Sequence, residues 1–230
     1  MKKLPENAGN ILVINLGGIG DIILSMPFML SMKSKYPGAN LMLLTVPRSE
    51  KWAGELKIAG EIHVISHLVT PRSLFKAAKV LLHLRKKNID IAVNMRSIAS
   101  FAGMLKMRLL LLSLGLKYTV GRNTDGRGYF FNASIPEKHG ETVDEPGKIS
   151  EIAELTGITE KLPLPEIKVV EEDLFWADKF LEKSENPGRL IVGLNPGGTA
   201  HEQKWPVDYY LVVMKKLSEK RKCRFLILGS

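Results

Sequence analysis

Two glycine turns hold most of the side chains in this sequence that could do chemistry. The first, Asn15-Leu16-Gly17-Gly18-Ile19-Gly20-Asp21, follows a short branched apolar run, Asn10 to Leu16. Such a turn lets a ligand approach the backbone at Gly17 and Gly18 and aims helix-start N–H groups at it. Asp21 stands at its mouth as a carboxylate able to take a proton from a hydroxyl; a plain helix-capping carboxylate is the alternative. The second turn, Gly193-Leu194-Asn195-Pro196-Gly197-Gly198-Thr199, is followed by Lys204-Trp205-Pro206. Backbone N–H groups near Gly197 and Gly198, the Thr199 hydroxyl and the Lys204 ammonium suit a diphosphate. The alternative is a strand-to-helix loop with Trp205 in the core and Pro206 at the first helical position.

Neither turn fits the commoner nucleotide motifs. A dinucleotide fingerprint laid from Gly18 needs a third glycine at position 23, where Ile23 stands, and the next apolar run, Leu43-Leu44-Thr45-Val46, ends without an acid. The second turn has no Gly-Lys-Ser/Thr and is not a Walker sequence.

The elements that must position these turns alternate regularly. After the strand ending at Leu16, the residues Ile22, Ile23, Met26, Met29, Leu30 and Met32 recur at helical spacing until Pro37-Gly38. The sequence predicts strands over 40–46, 61–65, 90–94 and 118–121, with helices over 50–56, 73–87, 98–114 and 149–156 between and after them. Residues 123–128 read as a polar loop. This alternation predicts an α/β fold with a parallel sheet covered on both faces. Lys161-Leu162-Pro163-Leu164-Pro165 then breaks the pattern as a stiff connection. A helix over 171–183 and a turn at Asn186-Pro187-Gly188 precede a fresh strand-helix-strand run over 190–195, 206–220 and 224–228. Residues 1–165 are thus expected as one α/β domain, 166–185 as linker and helix, and 186–230 as the first part of a second such domain. A two-strand piece leaves a sheet edge unpaired, so the chain is expected to be a fragment of something longer.

With 230 residues, 45% hydrophobic and 25% charged, the composition is that of a globular protein and excludes collagen-like and disordered classes. Cys223 is the single cysteine, so no internal disulfide forms, and a reducing, cytoplasmic setting is expected. The longest leucine-rich stretch, Leu105 to Leu116, contains Lys106 and Arg108 and falls short of the ~20 residues that span a bilayer. The net charge of +9 is concentrated: between Ile62 and Asn123 eleven basic residues meet one acid, Asp90. Such a region attracts phosphorylated ligands, nucleic acid or an anionic membrane surface. Arg96 and Arg122, each just after a strand, are the preferred anion contacts, with surface salt bridges as the alternative. The helix from Ile98 offers a route to a membrane surface, a core crossover being its plain alternative.

Residues 10–46, with GGIGD, then Met26-Pro27 and Tyr36-Pro37-Gly38-Ala39, resemble the opening of the glycosyltransferases of family 9 that include the lipopolysaccharide heptosyltransferases. Residues 191–229, with IVGLNPGG and KWP, resemble the start of that family's nucleotide-sugar domain. The resemblance implies a GT-B architecture, two Rossmann-like domains facing a cleft, with the acceptor on the first and the donor on the second. It implies inverting transfer of a sugar, usually heptose from ADP-heptose, to a lipopolysaccharide-core or related glycan, with no resident cofactor and no metal in the chemical step. By the same resemblance Asp21 is the base. Asn195, Gly197, Gly198, Thr199 and Lys204 fall on the donor side, and Gly17, Gly18, Arg96 and Arg122 on the acceptor side. The expected partners are a nucleotide sugar and a phosphorylated glycolipid or glycan, with transient contact at the inner-membrane surface and no nucleic acid. The family carries further donor contacts beyond the region matched, so this polypeptide alone is expected to have little transferase activity. A non-catalytic anion-binding module, or a different α/β enzyme with a nucleotide cofactor, are the competing readings.

Overall fold

The computed structural model describes residues 3–66, 70–140, 144–167, 169–182, 190–197 and 204–229. The chain divides into two compact units, Met1–Lys168 and Val169–Ser230.

In the first unit β1 (Asn10–Ile14), β2 (Asn40–Thr45), β3 (Glu61–Val64), β4 (Ile91–Asn94), β5 (Tyr118–Thr124) and β6 (Ala133–Glu137) form one sheet in the order β3-β2-β1-β4-β5-β6. Every pairing is parallel. The helices are α1 (Ile19–Lys35), α2 (Pro47–Glu55), α3 (Pro71–Lys86), α4 (Phe101–Leu114) and α5 (Glu145–Leu155). Successive β1 residues point to opposite faces, and the core divides accordingly. Ile11 and Val13 pack with Ile22, Met26, Met29 and Met32 of α1 and with Ile149 and Ile152 of α5. Leu12 and Ile14 pack with Leu84 of α3 and with Met104, Met107, Leu110 and Leu111 of α4. Burial on both faces explains why β1 and β2 read as continuous apolar runs rather than alternating ones.

Local signals set the helix ends. Ser100 caps α4 by accepting from the Gly103 N–H at 3.1 Å, and Gly115 closes that helix in the left-handed conformation. Pro47 opens α2 three residues earlier than the periodicity placed it.

β6 is the main departure from the sequence reading. β5 runs to Thr124, through residues expected as loop, because Ala133–Glu137 pairs with it as a parallel edge strand. The connection is too short for a crossover helix. It folds back over the strand, with Phe131 lying where a Cβ on Gly121 would stand, 2.4 Å from the ring. Pro136 within β6 suits an edge position and hides the strand from pattern reading.

In the second unit α6 (Glu171–Glu182) precedes β7 (Leu190–Leu194), α7 (Val207–Lys220) and β8 (Cys223–Ile227). β7 and β8 pair in parallel, Leu190 with Cys223 through Leu194 with Ile227. This is one strand-helix-strand crossover, and α6 falls in the same compact unit.

Candidate functional site

Strand order brings the first-unit residues together. β1 lies between β2 and β4, so the chain winds outward in both directions from β1 and β4, and a crevice opens at their carboxyl ends. The Met95 N–H donates to Ile14 O at 3.0 Å there, placing Arg96 beside the glycine turn.

The turn is pinned from below. Buried Asn15 accepts from the Gly17 N–H at 3.1 Å and donates to Asp21 O at 2.8 Å and to Ser25 Oγ at 3.2 Å. Ser49 Oγ donates to Gly17 O at 3.0 Å. A Cβ on Gly17 would lie 2.2 Å from Asp21 Oδ2, so only glycine leaves room for the carboxylate. Asp21 is the third residue of α1, and its Oδ2 accepts the Gly18 N–H at 2.7 Å. Oδ1 accepts from Arg96 Nη1. The capping reading therefore accounts for one oxygen, while the other is held in an ion pair whose side chains are 25% (Asp21) and 42% (Arg96) exposed. A cavity of about 10 Å³, room for about one water, touches Asn15, Asp21, Ser25, Arg96 and Glu145.

Arg96 also borders a second, much larger space. A groove of about 690 Å³ runs from Leu16, Val46 and Ile65 at the strand ends to Leu81 of α3 and Lys106, Leu109 and Leu110 of α4. Its walls are mostly apolar, and among the described residues its two cations are Arg96 and Lys106 and no carboxylate lines it.

Arg122 departs from the expectation of an acceptor contact. Its side chain is 0% exposed, and its fork is engaged by Glu145, Nη1 to Oε1 at 3.1 Å and Nη2 to Oε2 at 2.7 Å. Nη1 also donates to Ser97 Oγ at 3.0 Å and lies 3.5 Å from Glu137 Oε1. Glu137 is further held by Thr124 Oγ1 at 2.6 Å and Ser97 Oγ at 3.1 Å. A buried guanidinium needs such partners, and they come from β6 and the start of α5. The network braces the segment carrying Arg96 and Ser97. Sequence reasoning gave Asn15 no role although it opens the first turn, and it missed Ser97, Glu137 and Glu145, which lie in no motif; the last two depend on the unanticipated β6 and the earlier start of α5.

In the second unit the Asn195 Oδ1 accepts from the exposed Gly197 N–H at 3.2 Å, and Asn195 O accepts from Tyr210 at 3.2 Å. Lys204 is exposed just ahead of α7. Gly198 and Thr199 lie outside the described residues. Trp205 is not a core residue: it stacks on Tyr209 at 5.5 Å and meets Tyr210 edge-on at 4.9 Å. Pro206 caps α7 instead of opening it.

The first unit is a doubly wound α/β domain whose polar site lies at the topological switch point, and the second carries the same crossover. Comparison with solved structures makes the architecture specific: the fold is of the GT-B type. The chain is similar to a glycosyl transferase family 9 protein of Veillonella parvula, with a TM-score of 0.68 and 17% identity over 98% of this chain and 63% of that one. It is also similar to the ADP-heptose lps heptosyltransferase II of E. coli, with a TM-score of 0.64 and 19% identity over 96% of this chain and 64% of that one. To E. coli heptosyltransferase WaaC with ADP the TM-score is 0.59 and the identity 15%, over 96% of this chain and 67% of that one. The chain thus spans about two thirds of the length of these proteins. No family model and no curated protein matches it by sequence. Among the described residues no helix is long and apolar enough to cross a membrane.

Proposed function

We propose that the protein carrying this chain is an inverting glycosyltransferase that moves a sugar, of the ADP-heptose kind, from a nucleotide diphosphate to a hydroxyl of an anionic glycolipid or glycan. The observation that carries the reading is the Asp21–Arg96 pair at the switch point of a GT-B fold, next to an open groove. The first unit then takes the acceptor and the second the donor. An acceptor phosphate or carboxylate draws on Arg96, which borders both cavities, and releases Asp21 Oδ1 towards the attacking hydroxyl. Asp21 accepts the hydroxyl proton as the new bond forms, a contribution of about 10²–10⁴-fold. Lys204, Thr199 and the N–H groups at Gly197 and Gly198 stabilise the departing diphosphate, with no resident cofactor. Gly17 and Gly18 provide the close backbone approach, and Arg122 acts as a positioning residue through Ser97 and Glu145.

The acceptor's lipid fits a peripheral location at the cytoplasmic face of the inner membrane. Leu74, Phe75 and Leu82 of α3 and Phe101, Leu109 and Leu112 of α4 are each more than half exposed. The charges on those two helices are all basic. An apolar face on helices whose own charges are all basic has the character of an interfacial surface.

Asp21→Asn tests the chemistry. The amide keeps an oxygen for the Gly18 N–H and removes the base. In the complete natural polypeptide, with a phosphorylated glycan acceptor and ADP release as readout, turnover falls by about 10²–10⁴-fold with donor affinity unchanged. Turnover within threefold of wild type overturns the assignment.

A further inference from the structure

At the far edge of the first-unit sheet, three side chains with no part in the transfer chemistry converge. Glu61 and His63 are two residues apart on β3 and so project from the same face of that edge strand. The last turn of α3 brings His83 over them. His63 Nε2 lies 3.3 Å and His83 Nε2 3.9 Å from Glu61 Oε2, and the three ligand atoms all fall within 4.8 Å of one another. The two rings are tilted at 42° with centroids 5.4 Å apart, so they converge on the carboxylate rather than stack.

The hydrogen bonding is lopsided. Glu61 Oε1 accepts from Lys87 Nζ at 2.7 Å and from Asn40 Nδ2 at 2.8 Å, which orients the carboxylate. Oε2 is left facing the imidazoles. His63 Nε2 is buried and has no hydrogen-bond partner, a costly arrangement for a polar atom.

We propose that Glu61, His63 and His83 form a binding site for a divalent transition-metal ion of the Zn²⁺ class. Two imidazoles and one carboxylate are the donors such an ion prefers, and harder ions such as Mg²⁺ or Ca²⁺ favour all-oxygen sets. Ligand atoms at about 2.0–2.1 Å from a tetrahedral ion lie about 3.3–3.4 Å apart, the separation already present between Glu61 and His63. His83, whose side chain is 56% exposed, is free to close the rest. Lys87 and Asn40 serve as the outer partners that hold a ligating carboxylate in place, although the Lys87 charge lowers affinity. The fourth position is open to water.

The site's role follows from where it sits. Glu61 opens β3 and pairs with Met42, whereas Asp21 and Arg96 lie beyond the carboxyl ends of the strands. The metal ties α3, the helix that carries part of the basic face, to an edge strand only four residues long. It is structural, and it stands or falls independently of the transferase reading.

The test uses the tag-free chain, stripped with chelator and titrated with Co²⁺ and then Zn²⁺. One equivalent of Co²⁺ gives visible d–d absorption of a four-coordinate ion, Zn²⁺ displaces it, and the thermal midpoint rises with Zn²⁺ and returns with chelator. His83→Ala, at an exposed position, weakens binding at least tenfold while circular dichroism is unchanged. The absence of saturable binding, or undiminished binding in His83→Ala, overturns the proposal.

Discussion

Replacing Arg122 by alanine probes the bracing network behind the candidate site. The wild-type guanidinium has a fully buried side chain, and that of Glu137 is 2% exposed, so the substitution leaves a carboxylate inside the protein without the cation 3.5 Å away. Thr124 and Ser97 still donate to Glu137, which reduces the penalty without replacing the charge. Breaking a buried pair from one side costs about 3–5 kcal/mol. For a domain of this size, that is a fall in Tm of roughly 6–20 °C. Glu145 is 32% exposed, Glu137 still faces the Arg122 charge when Glu145 is neutralised, and the amide oxygen still accepts from the guanidinium, so Glu145→Gln costs only about 1 kcal/mol. The double variant Arg122→Met/Glu137→Gln removes both buried charges, and its cost is well below the sum of the two single changes. Urea denaturation followed by far-ultraviolet circular dichroism measures the wild type, Arg122→Ala, Glu145→Gln, the single changes Arg122→Met and Glu137→Gln, and the double variant. A loss under about 1 kcal/mol for Arg122→Ala, or strict additivity in the double variant, refutes the view that this arginine is held by buried charge.

Two further outcomes follow from the same geometry. Glu61 is held down to about 2, first by the Lys87 hydrogen bond and then by Asn40, while burial holds His63 below its ordinary value. In both cases the unfolded chain takes up the proton first, so stability rises with pH through these windows. The His63 contribution is complete above about pH 6.5 and is lost as pH falls below it; that of Glu61 is complete above about pH 4.5 and is lost towards pH 2. Urea midpoints measured without metal between pH 3 and 8 check this, and Glu61→Gln flattens the acid limb. On the basic face, the chain binds vesicles containing phosphatidylglycerol and releases them as salt rises. Phe75→Ser with Phe101→Ser, both exposed, removes roughly 1.5–3 kcal/mol of apolar insertion and weakens cosedimentation about tenfold or more; equal binding by the double variant rejects the surface.

The legible parts of the fold were those written in local periodicity. Every strand and helix of the first unit except β6 has a counterpart in the sequence pattern, because a strand buried on both faces must be a short apolar run and a crossover helix must carry an apolar stripe. β6 was not legible: Ala133, Ser134 and Pro136 form no pattern, and the strand exists only because β5 offers it an edge. The helix-capping role of Asp21 was legible too, since it spans three residues. Arg96 could be placed at a strand end, but its bond to Asp21 spans 75 residues.

What the sequence determined by itself was the alternation of elements, the two turns at strand ends and the concentration of positive charge, all products of neighbours along the chain. Tertiary structure alone decided which charges face a ligand. Arg96 and Arg122 look alike in sequence, each following a strand in the basic segment, yet Arg96 reaches Asp21 at a part-exposed edge while Arg122 turns inward to Glu137 and Glu145. The reason is that burying a charge is favourable only where opposite charges and hydrogen bonds meet it, and those partners are supplied by strand order and by elements distant in the chain.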